Sequence, residues 1–123
     1  MILDDLRNFI VQNEIATEDI IKYDYDSSKG DDVLLLTLYD TVPCDLALRS
    51  SVSIIFKFKD LRQVREDCFI LYSLLFPQDS FQKAIKINGK TMHLKLNKGP
   101  FYSGLDQSKR HNYELDITIT YER

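Results

Sequence analysis

Residues 51–77 read SVSIIFKFKDLRQVREDCFILYSLLFP, and their hydrophobic period changes halfway along. Val52, Ile54, Phe56 and Phe58 alternate with Ser51, Ser53, Ile55 and Lys57, the period-two pattern of a half-buried strand. From Leu61 the apolar residues fall at Leu61, Val64, Cys68, Leu71 and Leu75, steps of three and four that form one stripe on a helix. Asp60 stands at the switch as an N-cap with Gln63 in capping-box position, and Pro77 closes the helix. At 1.5 Å per residue the helix is about 25 Å long, enough to cross a small sheet.

Downstream, Phe81 to Leu96 predicts a hairpin around Asn88-Gly89, a pair suited to a type I′ turn whose two central residues take positive φ. Pairing Ile87 with Lys90 sets Ile85 opposite Met92 and Phe81 opposite Leu96, a single apolar face. A loop is expected over Asn97–Asn112. A last strand then turns Tyr113, Leu115, Ile117, Ile119 and Tyr121 inward and Glu114, Asp116, Thr118, Thr120 and Glu122 outward. Upstream of residue 51, Val33–Tyr39 reads as a strand apolar on both faces, followed by a loop holding Pro43 and Cys44. The stretch Thr17–Asp32 is polar, with an acidic patch from Asp24 expected to be a solvated turn. Ile2, Leu3, Leu6, Phe9, Ile10 and Asn13 mark a short first helix. This order predicts an α+β protein with a mainly antiparallel sheet and two helices packed on one face, a single domain over residues 1–123.

A chain of 123 residues buries about two thirds of its unfolded surface, enough for a core without metal or disulfide staples. The net charge of −3 argues against a nucleic-acid binder, which needs concentrated Lys and Arg. Two cysteines form no disulfide framework and point to a reducing compartment. The N-terminus Met1-Ile2-Leu3-Asp4-Asp5 lacks the basic and apolar regions of a signal peptide. The longest apolar run, Val33–Leu36, is far below the roughly 18 residues of a membrane span. A cytoplasmic protein is expected.

The residues offer no catalytic group, cofactor site or metal site. A calcium loop counted from Asp24 would need glycine and glutamate where Lys29 and Leu35 stand. His93 and His111 lack the close ligand spacing of zinc sites, and Cys44 and Cys68 have no local base. Three features call instead for a protein partner. Leu34, Leu36 and Leu38 share one strand face, which either forms an interface or is covered by the first helix or the Thr17–Asp32 segment. Residues 81–105 carry five lysines and no acid, while the last strand offers Glu114, Asp116 and Glu122. A basic edge and an acidic edge could meet head-to-tail, Lys86 or Lys95 approaching Glu114 or Asp116 of the next subunit; otherwise both are solvated faces. The Asn97–Asn112 loop carries Pro100, Phe101 and Tyr102, which suit ordering on binding.

The segment Gly99-Pro100-Phe101-Tyr102-Ser103-Gly104-Leu105-Asp106, followed by Lys109-Arg110-His111-Asn112-Tyr113 and a closing strand, resembles the tail-terminator and minor-capsid proteins of long-tailed phages. In that family a Pro-aromatic segment leads to a Gly-Arg-Asp-like turn, a basic residue and the closing strand; here Leu105 stands where the Arg would be. The order of elements along the whole chain agrees. The resemblance implies a tail-terminator-like fold and a homohexameric ring that caps the tail tube, stops its polymerisation and meets the neck of the head. Its partners would be further copies of itself, the major tail tube protein and a head-completion protein, with DNA passing through the lumen and no membrane involved. It implies a virion protein at the head-proximal end of the tail, assembled in the host cytoplasm. Leu34, Leu36, Leu38, Lys86, Lys95, Pro100, Phe101, Tyr102, Asp106, Arg110, Glu114 and Asp116 are the interface residues expected. The alternatives are a head-completion or stopper protein of the neck, or a small non-viral binding module.

Overall fold

At Asp60 strand gives way to helix, as the change of period requires. The structure is a computed structural model that describes residues 2–77 and 82–122. In chain order it holds α1 (Ile2–Gln12), a 3-10 turn (Glu18–Ile20), β1 (Ile21–Tyr23), β2 (Val33–Cys44) and β3 (Ala47–Phe58). Then come α2 (Leu61–Leu75), β4 (Gln82–Ile87), β5 (Lys90–Leu105) and β6 (His111–Glu122). The chain is α+β. Its six strands form one mixed sheet in the order β1-β2-β3-β6-β5-β4, with β1 parallel to β2 and the other four neighbouring pairs antiparallel.

The Asp60 side chain accepts from the Gln63 amide at 3.1 Å and so caps α2, while the Gln63 side chain is engaged with Asp67. Asp60→Ala should lower the unfolding free energy by about 1 kcal/mol, read as a shifted denaturant midpoint at unchanged slope. No change at the midpoint would mean that water caps the helix as well as the carboxylate does. Val64, Cys68, Leu71 and Leu75 are buried on the core side of α2. Leu61, expected on the same stripe, is exposed.

One cluster gathers the buried face of α2, Ile2, Leu3, Leu6 and Ile10 of α1, and the inner face of the sheet. The register makes that face continuous: Leu36 pairs with Ile54, Ile54 with Leu115, Val52 with Ile117, and Ile117 with Leu96. Helix α1 contacts both β2 and β4, which lie near opposite edges of the sheet, so the sheet must curl around it. Two neighbouring carboxylates fasten α1 at its ends of the sheet. Asp4 accepts from the Tyr23 hydroxyl of β1 at 2.7 Å, and Asp5 accepts from Asn88 at 3.0 Å and pairs with Lys90 at 3.3 Å beside the β4–β5 turn. Burial, reinforced by the Asp4 hydrogen bond, pushes the Tyr23 hydroxyl up to about 12.

Several expectations are corrected. Leu34 and Leu36 have no exposed surface and Leu38 is half-buried against the core, so this face of β2 is the interior and not a partner surface. The opposite face is closed too, since Val33 and Leu35 are buried. Asp26 lies 3.9 Å from Lys57, the cross-strand partner of Val33, which places the segment between β1 and β2 on that side. The loop expected around Pro43 and Cys44 is instead the end of a long β2–β3 hairpin, with Cys44 paired to Ala47 and positive φ at Asp45.

The loop expected over Asn97–Asn112 is mostly strand as well. β5 reaches Leu105, and its register slips between Leu96 and Lys98, Lys98 and Phe101, and Tyr102 and Gly104. Each slip breaks the period-two alternation, which is why the strand is invisible to a pattern search. Gly99 permits the second of these irregularities: its φ is +99°, and a Cβ there would collide with the Glu114 carbonyl of β6. At the β4–β5 turn, Ile87 pairs with Lys90 and Ile85 with Met92 around Asn88-Gly89, as expected. The expected pairing of Phe81 with Leu96 lies outside the described residues. The short strand β1 carries no pattern of its own; three residues are too few to show a period.

Candidate interaction surface

Helix α2 is apolar on more than its core side. Phe69, Ile70 and Leu74 lie off the buried stripe and are exposed, Ile70 by 50%. The Phe69 ring meets Tyr113 of β6 edge-on, with centroids 6.4 Å apart and planes at 64°. Tyr113 packs on Tyr102 of β5 at 5.5 Å, and the Tyr102 hydroxyl lies 2.9 Å from His111 Nδ1. Leu105, 58% exposed, ends β5 beside them. Together they make an aromatic–aliphatic strip where the outer side of α2 meets the β5–β6 end of the sheet. Contiguous apolar surface of this kind is how soluble proteins mark a contact site.

A second apolar surface stands at the other end. On the β2–β3 hairpin Tyr39 is 68% exposed and Leu46, at the tip, 85%. Val42 is exposed on the same arm. The pairing of β3 with β6 puts Ala47 opposite Glu122 and Phe58 opposite His111. The hairpin tip and the strip therefore lie at opposite ends of the sheet, separated by the length of β6, about 35 Å.

A buried ionic clamp stands at the same end of the sheet, by the β5–β6 turn. Arg110, 5% exposed, sends Nη2 to Asp26 Oδ2 at 2.6 Å and Nε to Asp106 Oδ2 at 2.9 Å. Its Nη1 donates to the Ser28 hydroxyl at 2.8 Å and the Asp31 carbonyl at 2.9 Å. The Ser28 hydroxyl and amide both donate to Asp26. Burial by itself would raise the Asp26 carboxyl, but the hydrogen bonds from Ser28 and Arg110 and the Arg110 charge outweigh it and hold the group at about 2. The same balance, with donors from Arg110 and Ser108, lowers Asp106. The clamp ties the segment before β2 to the β5–β6 turn. Asp106 and Arg110, expected at an interface, are consumed inside the chain. The acidic patch is accordingly no freely solvated turn, since Asp26 is shielded and Asp24 Oδ1 accepts from the Leu38 amide at 3.2 Å.

The remaining expected residues separate. Lys86 is exposed on edge strand β4 and Lys95 on β5. Glu114 and Asp116 are half-buried on β6, which lies between β3 and β5; β6 is not an edge, and Asp116 faces Lys98 of the same chain. The expected acidic edge is therefore absent, because the last strand inserts into the middle of the sheet. Pro100 and Phe101 are half-buried in β5, with Lys98 Nζ 4.5 Å above the Phe101 ring, and Tyr102 belongs to the strip. Burial, with a smaller contribution from the Asp67 charge, pushes the Cys68 thiol up to about 12, so it behaves as a core residue. Among the described residues no group of three or more His, Cys, Asp or Glu is placed to hold a metal ion, and no helix is long and apolar enough to cross a membrane.

The apolar residues off the α2 stripe were the sequence signal for this surface, since Phe69, Ile70 and Leu74 are not needed by the core. Their union with Tyr102 and Tyr113 was not legible, because it depends on β5 continuing as a strand. Comparison with known proteins finds no matching family model and no matching curated sequence.

Proposed function

We propose that this chain is a structural subunit of a phage tail: a tail terminator that closes into a homohexameric ring on the tail tube. In this reading the fold is terminator-like, a mainly antiparallel sheet with its helices on one face. The ring stops polymerisation of the tube protein and meets a head-completion protein at the neck, with DNA passing through its lumen. It belongs to the virion, at the head-proximal end of the tail, and assembles in the host cytoplasm. The assignment to a tail rests on the resemblance of residues 99–113 and on the order of elements. Self-association is supported by one observation, the two unlike apolar surfaces at opposite ends of one sheet. Contact between unlike surfaces is heterologous, and it closes a ring when the rotation per subunit allows.

The seam of this ring is the hairpin tip of one copy against the α2 strip of the next, since Glu114 and Asp116 form no edge. Size-exclusion chromatography with light scattering should detect a species six times the 14.4 kDa chain mass. Leu46→Asp and Ile70→Asp should each weaken association at least about ten-fold while leaving the fold intact, because both side chains face solvent in the single chain. A protein that stays monomeric at high micromolar concentration overturns the ring. A ring that forms unchanged in both variants leaves the ring standing and overturns this seam.

A further inference from the structure

The sheet face turned away from the helices carries a trough of about 680 Å³. Register builds its floor. Arg49, Thr120 and His93 stand side by side on β3, β6 and β5, and Ser51, Thr118 and Lys95 form the adjacent row. Directly paired side chains on neighbouring strands are about 5 Å apart at Cβ, so a group resting over Thr118 and Thr120 is within reach of Arg49, His93 and Lys95 together. The donors are uncommitted. Arg49 makes one weak contact, Nη2 to Cys44 Sγ at 3.7 Å, and none of the three basic groups is ion-paired with a described carboxylate. Thr118 Oγ1 accepts from Asn97 Nδ2 at 2.7 Å, which leaves its own hydrogen free to donate. Among the described residues, Asp40 is the one carboxylate lining the trough.

We infer that this trough binds a phosphate group. A guanidinium, an ammonium, an imidazole and two threonine hydroxyls supply more donors than the two oxygens of a carboxylate can accept. A phosphate matches them in oxygen count and charge, and its edge suits bidentate contact from Arg49. The site does not depend on ring closure. Its phosphate comes either from a free phosphate or phosphomonoester, or from the backbone of a nucleic acid.

Amide chemical shifts test this. Sodium phosphate, compared with sodium chloride at equal ionic strength, should give saturable shifts at residues 49–51, 93–95 and 118–120. Arg49→Gln combined with Lys95→Gln should raise the apparent Kd at least ten-fold, and His93→Gln alone should raise it less. All three side chains are at the surface, and the amide spectrum of each variant reports whether the fold is kept. In a second arm, a 12-base-pair DNA duplex that moves the same amides at ten-fold lower concentration, with steep salt dependence, assigns the source to nucleic acid. A duplex that leaves them unmoved assigns it to free phosphate. Phosphate shifts no larger than those with chloride, or binding equal in wild type and the folded double variant, would overturn the site.

Discussion

Arg110→Met is expected to lower the unfolding free energy by about 3 kcal/mol and to flatten its dependence on acid. Removing one member of a buried ion pair typically costs about 3–5 kcal/mol, because the remaining charges lose their partner while staying poorly solvated. The lower figure applies here because the Asp26 and Asp106 side chains keep 18% and 19% of their surface in solvent. Methionine retains the apolar stem, so the loss reports the guanidinium rather than a cavity. The pH dependence has a definite sign. Asp26 is held at about 2, below its ordinary value near 3.8. A carboxylate lowered in the folded state stabilises fully above its unfolded pKa, and that contribution fades as pH falls toward and through 2. Wild type should therefore lose stability between about pH 5 and pH 2, and Arg110→Met should lose less over the same range. Urea unfolding of both proteins at pH 7 and pH 3 measures the difference. Equal pH dependence in the two would show that the clamp is not what lowers Asp26.

Leu71→Ala should cost about 2–5 kcal/mol, the range for truncating a fully buried leucine. Leu71 has no exposed surface and sits mid-way along the core stripe of α2, where the helix faces β3 and β6. The companion change Leu61→Ala, on the same sequence stripe but exposed, should cost no more than about 0.5 kcal/mol. Denaturant midpoints of the two variants make the comparison within one helix. A loss below about 0.5 kcal/mol at Leu71 would mean that α2 does not pack on the sheet through this face. The pair also separates stability from assembly: Ile70→Asp, on the outer side of α2, should spare the first and impair the second.

The residues alone carry whatever is written in short-range order. The strand-to-helix switch at Asp60, the α2 stripe from Val64 to Leu75, the Asn88-Gly89 register and the inward residues of β6 all follow from periods of 2 and 3.6 and from local hydrogen bonding. Features that join residues far apart, or that break a pattern locally, emerge from the packed fold. Leu34 and Leu36 became core because α1 and α2 cover their face of the sheet, a choice their alternation could not make. β5 persists through Lys98–Leu105 because β6 supplies a ladder that tolerates bulges, and Gly99 lets the backbones approach. Arg110 and Asp26 are 84 residues apart, and no local rule pairs them; folding brings the pre-β2 segment against the β5–β6 turn and desolvates both charges. The insertion of β6 between β3 and β5 likewise turned an expected acidic edge into an inner strand, since strand order is set by packing of the whole sheet and not by the residues of any one strand.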